Sequence, residues 1–439
     1  MLPIYFAGRD DGAIAALRAK LSLRPLLMEG LDDDGSARYE TVRAILRDVQ
    51  LRGDAAVLEY TLKFDKAVPA AMRVGPEAVA AAVAGASPAF LHALDVAIAN
   101  IRAYQQAMLM PEPAAIRAPG GGAGSYLGMK ISPVDRVGLY VPGGAAAYPS
   151  SVLHTAIPAQ VAGVKELCLC SPMRDGGISP AVLVAAAKVG VTEIYAIGGA
   201  QAIAAMAFGT ATIKAVDKIV GPGNTYVQLA KKELYGIVDI DSFAGPSEVI
   251  VLADDTADAR QVAAELLAQA EHAPGSCLLV TASEPLAHKV QAEVERQLGG
   301  LTREKMTRGA LEFASALIVT AGHAAAIAMV DAFAPEHLQI TTRDADGEAR
   351  KVRHAGAIFI GPHTPVAAGD YLAGPSHVLP TSGTARFFSG LSAESFRKRT
   401  SLIRLDEQSL NALGQPIVDF ATTEGFDGHA KSVTARAQH

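Results

Sequence analysis

The chain has 439 residues, half of them hydrophobic and 19% charged, with no Trp and three Cys. That length exceeds one simple core and predicts two or three domains with ample apolar sequence to build them. A net charge of −6 gives no electrostatic basis for binding nucleic acid or an anionic membrane.

Met1-Leu2-Pro3-Ile4-Tyr5-Phe6 is too short an apolar run for a signal peptide, and Arg9-Asp10-Asp11 follows at once. No segment approaches a charge-free membrane span, and three cysteines are too few for a disulfide framework, so a reducing cytoplasm is the expected compartment. Asp32-Asp33-Asp34-Gly35 reads as a polar turn that supplies helix caps. Val42, Ile45, Leu46 and Val49 fall at helical spacing, and Arg52-Gly53-Asp54 breaks the run, which predicts two helices over 36–64. A long helix is expected over about 88–108, with Leu91, Leu94, Ile98, Ile101 and Met108 on one face. Gly120-Gly121-Gly122-Ala123-Gly124 lies between extended stretches and reads as a flexible hairpin tip, not a phosphate loop.

From about 137 the pattern changes to repeated βα alternation. Strands are expected at 137–141, 166–170, 193–197 and 218–220, with helices near 150–162 and 180–189, after Gly199, and after Asn224. Gly245-Pro246-Ser247 separates this block from a second one. There, strands at 249–252, 276–281, 316–319, 338–340 and 357–360 alternate with helices at 261–272, 283–298 and 322–333. The alternation marks an α/β fold with two doubly wound parallel sheets. Cys168, Cys170 and Cys277 sit inside apolar strands and read as packing. The tail from about 390 lacks strand patterns and reads as short helices.

Open α/β sheets bind ligands beyond the carboxyl ends of their strands. Tyr140, Gln201, Asn224 and Ser247 are all expected at such ends or in the glycine-bearing turns after them. No complete GxGxxG is present, so a standard dinucleotide fingerprint is not supported. Gln269 and His272, three apart, share one helix face. A neutral imidazole there suits a divalent metal and an amide oxygen suits it as a partner, while a His at a helix C-terminus also serves simply as a cap. Glu336-His337 is either a proton-transfer pair or solvated loop surface. Asp370, in a loop with Gly369, either completes a metal shell or belongs to turn chemistry.

Read together, Gly198-Gly199-Ala200-Gln201-Ala202, Val220-Gly221-Pro222-Gly223-Asn224, Gly245-Pro246-Ser247-Glu248, Gln269-Ala270-Glu271-His272, Pro335-Glu336-His337-Leu338, Gly369-Asp370-Tyr371 and His377-Val378-Leu379-Pro380-Thr381 resemble histidinol dehydrogenase. The resemblance runs in order from about residue 36 to His429. It implies oxidation of L-histidinol to L-histidine through histidinaldehyde, with NAD and one zinc ion per subunit. It also implies a homodimer with two Rossmann-like domains and shared active sites. By motif, Gln269, His272, Asp370 and His429 would ligate zinc, with His429 donated by the partner. Glu336 and His337 would be the acid/base pair, Ser247 and Glu424 would contact substrate alongside His337 and the metal shell, and Tyr140, Gln201 and Asn224 would line the NAD site. The domains would run as an N-terminal segment 1–35, a first α/β domain of 36–136 and 249–389, a second of 137–248 on the NAD side, and a C-terminal helical segment 390–439.

Two departures from the family pattern bear on substrate identity: Ser376 before His377, and the residues between Glu424 and His429. The alternative readings are a paralogous zinc- and NAD-dependent dehydrogenase of another small polar alcohol, such as a sulfonated diol, a zinc hydrolase, and a non-catalytic binding protein. Glu424 favours a cationic substrate over a sulfonate, and a hydrolase leaves the first α/β block without a role. Whether His377 orients another side chain or is simply buried is open from the sequence, with orientation the expectation.

Overall fold

The computed structural model describes residues 1–23, 37–66, 69, 71–143, 147–174, 176–243, 245–272 and 275–436. The expected turn at 32–35 lies outside them. The chain divides into two compact units, Met1–Met108 with Asp135–Ser395, and Leu109–Val134 with Phe396–His439. No single helix among the described residues is long and apolar enough to cross a membrane.

The larger unit is built on two parallel sheets. Their strands are short, nearly continuous apolar runs such as Ser247–Ala253 and Gly275–Thr281, the pattern of strands buried on both faces. One sheet has the order Glu193–Tyr195, Glu166–Cys170, Arg136–Tyr140, Lys218–Val220, Asp239–Ile240. The other has the order Ile4–Phe6, Ala316–Val319, Gly275–Thr281, Ser247–Ala253, His337–Thr341, Ala357–Ile360. All neighbours in both are parallel. Leaving aside the added edge strand Ile4–Phe6, each sheet starts from a central strand, grows to one side and then crosses to the other. Each therefore has one topological switch point, beside Arg136–Tyr140 and beside Ser247–Ala253.

Alternation along Ser247–Ala253 fills two cores. Val249 and Val251 join Val262, Leu266 and Val290 on one face, while Ile250 and Leu252 join Leu17, Val330 and Phe333 on the other. The helices Ala259–Ala270 and Glu284–Leu298 thus cover one side, and Asp11–Leu21 and His323–Phe333 cover the opposite side. Caps start several helices where the sequence places short polar side chains. Asp258 accepts from the Arg260 N–H at 2.9 Å and Ser283 from the Leu286 N–H at 3.3 Å.

The structure departs from the expected organisation in three places. Residues 4–6 are an edge strand of a main sheet, because Ile4, Tyr5 and Phe6 pair with Leu317, Ile318 and Val319. The helices Ala37–Arg52 and Asp54–Asp65, expected with the first α/β domain, bury Val42, Ile45 and Val57 against Cys168, Tyr195 and Ile203 of the five-stranded sheet's block. The tail is not purely helical. Arg397–Arg404 is a strand paired antiparallel with Tyr126–Pro133, in the smaller unit. Its sequence, RKRTSLIR, is charged and almost wholly exposed, so the backbone ladder forms it and no apolar period announces it.

The glycine run at 120–124 does connect paired strands, Ile116–Arg117 and Tyr126–Pro133. Its Gly122 and Gly124 N–H groups donate to Ser409 Oγ at 3.0 Å and Asp406 Oδ2 at 2.9 Å, at the start of the Glu407–Thr423 helix.

Candidate active site

Ser247, Glu336 and His337 lie at the amino edge of the six-stranded sheet. Ser247 and His337 each begin a strand, and Glu336 directly precedes the second. These two strands flank the switch point. The expectation that Ser247 sits beyond a carboxyl end is therefore corrected: Gly245-Pro246 leads into its strand and does not follow one.

Glu336 and His337 are both buried, so the solvated-loop reading is excluded. They are held by Glu248. The Glu248 N–H donates to Glu336 Oε2 at 3.0 Å, and the Glu336 N–H donates to Glu248 Oε1 at 3.3 Å. Ser382 N–H adds a bond of 2.8 Å to the same Glu248 oxygen. Burial pushes the Glu336 carboxyl up to about 8, with the Asp370 charge adding to it against hydrogen bonds from the Glu248 backbone and Ser247. Glu248 is pushed up to about 8 by burial and by the neighbouring Glu336 carboxylate. A buried acid in this range changes protonation near neutral pH, as a general base or acid must.

His337 Nδ1 lies 3.1 Å from the Glu248 carbonyl oxygen. A carbonyl only accepts, so Nδ1 carries the proton and Nε2 is the basic nitrogen. Nε2 is buried without a hydrogen-bond partner, 3.7 Å from Asp370 Oδ1. Burial lowers the His337 pKa and keeps the ring neutral at pH 7.

Helix C-termini complete this edge. The Ala259–Ala270 helix ends two residues earlier than expected, so Gln269 is in its last turn and His272 lies just past it, held by an N–H bond to the Gln269 carbonyl at 3.2 Å. Asp370 is not in an open loop. It belongs to the short Val366–Tyr371 helix, whose first N–H, on Val366, donates to Glu265 Oε2 at 3.0 Å. Gly369 makes this possible, since a Cβ there would stand 2.6 Å from the Phe359 ring, which in turn packs against His337.

Gln269 is buried and its amide nitrogen has no partner. Burial lowers the His272 pKa, with Asp370 opposing and His337 reinforcing the shift. A neutral imidazole, a buried amide whose oxygen is the ligating atom and a carboxylate at a helix C-terminus, where the backbone dipole favours positive charge, are a donor set that fits a zinc ion. Among the described residues no three His, Cys, Asp or Glu side chains close round one point, and this set contributes two of those plus an amide.

His377 braces the same edge. Its Nδ1 donates to the Asp370 carbonyl at 3.0 Å, its Nε2 meets Ser151 Oγ at 3.2 Å, and its ring stacks on His154 at 4.4 Å. Its bond to Asp370 is therefore to the backbone and not to a side chain, which is the partner the orientation reading expected. Ser376 is engaged locally, where its hydroxyl donates to the His154 carbonyl at 2.9 Å and accepts from the Val378 N–H at 3.2 Å.

Tyr140, Gln201 and Asn224 line one cavity of about 520 Å³ beyond the carboxyl ends of the five-stranded sheet, at its switch point. The Tyr140 hydroxyl accepts from the Gly199 N–H at 3.1 Å, and burial pushes its pKa up to about 12. Gln201 is buried with neither amide atom paired. Asn224 Oδ1 caps the Thr225–Leu234 helix through the Tyr226 and Val227 N–H groups at 3.0 and 3.2 Å. Gly221, at φ +117°, passes so close to the Tyr140 carbonyl that a Cβ would stand 2.0 Å from it. Asp241 accepts from the Gly221 N–H at 2.7 Å and forms a fully buried ion pair with Lys231, whose ammonium also donates to the Gly221 carbonyl at 3.1 Å.

Glu424 and His429 belong to the smaller unit. Glu424 caps the C-terminus of Glu407–Thr423, and His429 lies exposed on Asp427–Thr434. Sequence reasoning missed Glu248 and Glu265 as positioning groups. Their one signal in the sequence was a carboxylate at an otherwise apolar strand or helix position. The three thiols are buried and free, and burial raises all three pKa values, to about 12 for Cys168 and Cys277, which agrees with packing.

The buried Glu336-His337 pair at one parallel sheet and the separate cavity at the switch point of the other are the two places in this α/β protein where the fold gathers candidate chemistry. Residues 31–437 match the family model for histidinol dehydrogenase. The histidinol dehydrogenase of Rhodopirellula baltica is 47% identical over 436 residues, covering 97% of this chain and 94% of that protein. That of Geobacillus kaustophilus is 47% identical over 427 residues, covering 97% and 99%. A crystal structure of the Elizabethkingia anophelis enzyme is 34% identical and matches with a TM-score of 0.90 over 99% of this chain and 98% of that one. The chain belongs to the histidinol dehydrogenase family.

Proposed function

We propose that this protein oxidises L-histidinol to L-histidine, the last step of histidine biosynthesis, in two NAD-dependent reactions at a zinc site completed by a partner subunit of a cytoplasmic homodimer. The observation that carries the reading is His337, whose Nδ1 is committed to the Glu248 carbonyl while Nε2 is left basic, buried and unpartnered beside Asp370.

In the first reaction the alcohol and NAD+ give the aldehyde, NADH and a proton. His337 Nε2 takes the hydroxyl proton. In the second, the aldehyde, water and NAD+ give the carboxylic acid, NADH and a proton. Glu336, with its pKa near 8, removes the proton from the attacking water once its own proton has left. Glu248 fixes both groups through backbone and carboxyl hydrogen bonds. Zinc held by Gln269, His272, Asp370 and the partner's His429 would act as a Lewis acid that fixes the substrate amine and imidazole. NAD in the Tyr140, Gln201 and Asn224 cavity would accept the electrons. Ser247 and Glu424 would contact the substrate, where a carboxylate suits a cationic amine. Ser376 is occupied by its own hydrogen bonds, so its departure from the family pattern does not favour a different alcohol.

Zinc-loaded protein given L-histidinol is expected to form two NADH per histidinol, with activity lost to chelator and restored by zinc. Folded, metal-loaded protein that does not turn over histidinol would refute the proposal.

A further inference from the structure

Asp65 is the last residue of the Asp54–Asp65 helix and lines the same cavity as Tyr140, Gln201 and Asn224. Helix stability does not explain it, because a carboxylate in a last turn faces the negative end of the backbone dipole. One carboxylate oxygen, Oδ2, is buried with no hydrogen-bond partner. The Met173 backbone supplies a hydrogen bond to the group and burial raises its pKa, while Oδ2 is left open to a further donor.

The rest of the wall restricts what that donor is. Gln201 lies in the first turn of Gly199–Phe208, and Asn224 caps Thr225–Leu234, so the positive ends of two helix dipoles lie at this cavity and favour the negative charge of a pyrophosphate. A carboxylate repels phosphate and therefore pairs with a hydroxyl. Phe64, beside Asp65, and Tyr226 are 46% and 41% exposed and line the same cavity, offering aromatic faces for an adenine ring. No Lys, Arg or His is among the described residues of the lining, so nothing there neutralises an additional phosphate.

We propose that Asp65 accepts a hydrogen bond from the 2′-hydroxyl of the adenosine ribose and makes the cavity selective for NAD over NADP. This rests on the reading of the cavity as the dinucleotide site.

Equilibrium binding of NAD+, NADP+ and 2′-deoxyadenosine-NAD+ by calorimetry tests it on the full-length protein. The wild type is expected to bind NAD+ about tenfold to a hundredfold more tightly than the 2′-deoxy analogue, the range for a hydrogen bond to a charged group. NADP+ should bind more weakly still. Asp65→Ala should bind NAD+ and the analogue within about twofold of each other and narrow the gap to NADP+. Asp65→Asn keeps the shape and an acceptor but loses the charge, so its discrimination should fall by at least about threefold; it carries the test if the alanine variant does not fold. Unchanged NAD+ to 2′-deoxy ratios in the folded variants overturn this inference alone. Wild-type protein that binds no dinucleotide overturns the reading of the cavity and this inference with it.

Discussion

Replacing Glu336 with Gln should flatten the fall of stability with rising pH. The side chain is fully buried, with a pKa of about 8 against an ordinary 4.5. For an acid whose pKa is raised by folding, the folded state holds the proton more tightly, so its contribution is best below the unfolded pKa. It worsens as pH climbs from about 4.5 towards about 8. The cost is RT ln[(1 + 10^(pH−4.5))/(1 + 10^(pH−8))], which gives about 2 kcal/mol at pH 6 and about 5 kcal/mol at pH 9. Wild-type protein should therefore lose about 3 kcal/mol more than Glu336→Gln between these two pH values. The same substitution relieves the like charge on Glu248, which flattens the variant's curve further. Urea denaturation of chelator-treated wild type and variant at pH 6 and pH 9 measures the difference without metal linkage at His272. Parallel pH dependences would show that Glu336 ionises in the folded protein as readily as in water, and the acid/base argument built on its burial would fail with it.

Two further outcomes are expected. Asp241→Ala strands the Lys231 ammonium, whose side chain is 0% exposed, so unfolding midpoints in urea should report a loss of about 3–5 kcal/mol. A loss below about 1 kcal/mol would mean that the pair does not brace the Gly221 turn. Mixing inactive His272→Ala chains with inactive His429→Ala chains should restore partial activity, since one shared site in the heterodimer keeps both wild-type residues. A mixture that exchanges subunits and stays inactive would refute the shared site.

The apolar runs of the parallel strands and the break at Gly53 were legible from local sequence, because hydrophobic period and turn chemistry act over a few residues. So were the residue types of both candidate sites, since Gln269, His272, Glu336, His337 and Asp370 stand in short motifs, as do Tyr140, Gln201 and Asn224. What local pattern does not carry is pairing. The strand at 4–6, the charged strand at 397–404 and the attachment of the 37–65 helices to the five-stranded sheet all depend on partners far along the chain.

The environment of Glu336 and His337 divides in the same way. The order of the chain by itself determined that a Glu and a His are adjacent. Only the tertiary structure decided that they lie at the amino edge of a switch point, with Glu248, 88 residues from Glu336, bonded to its backbone and its carboxyl. The physical reason is that pKa and tautomer are set by burial and by whichever donors and acceptors the fold brings within about 3 Å, and these are properties of packing in space.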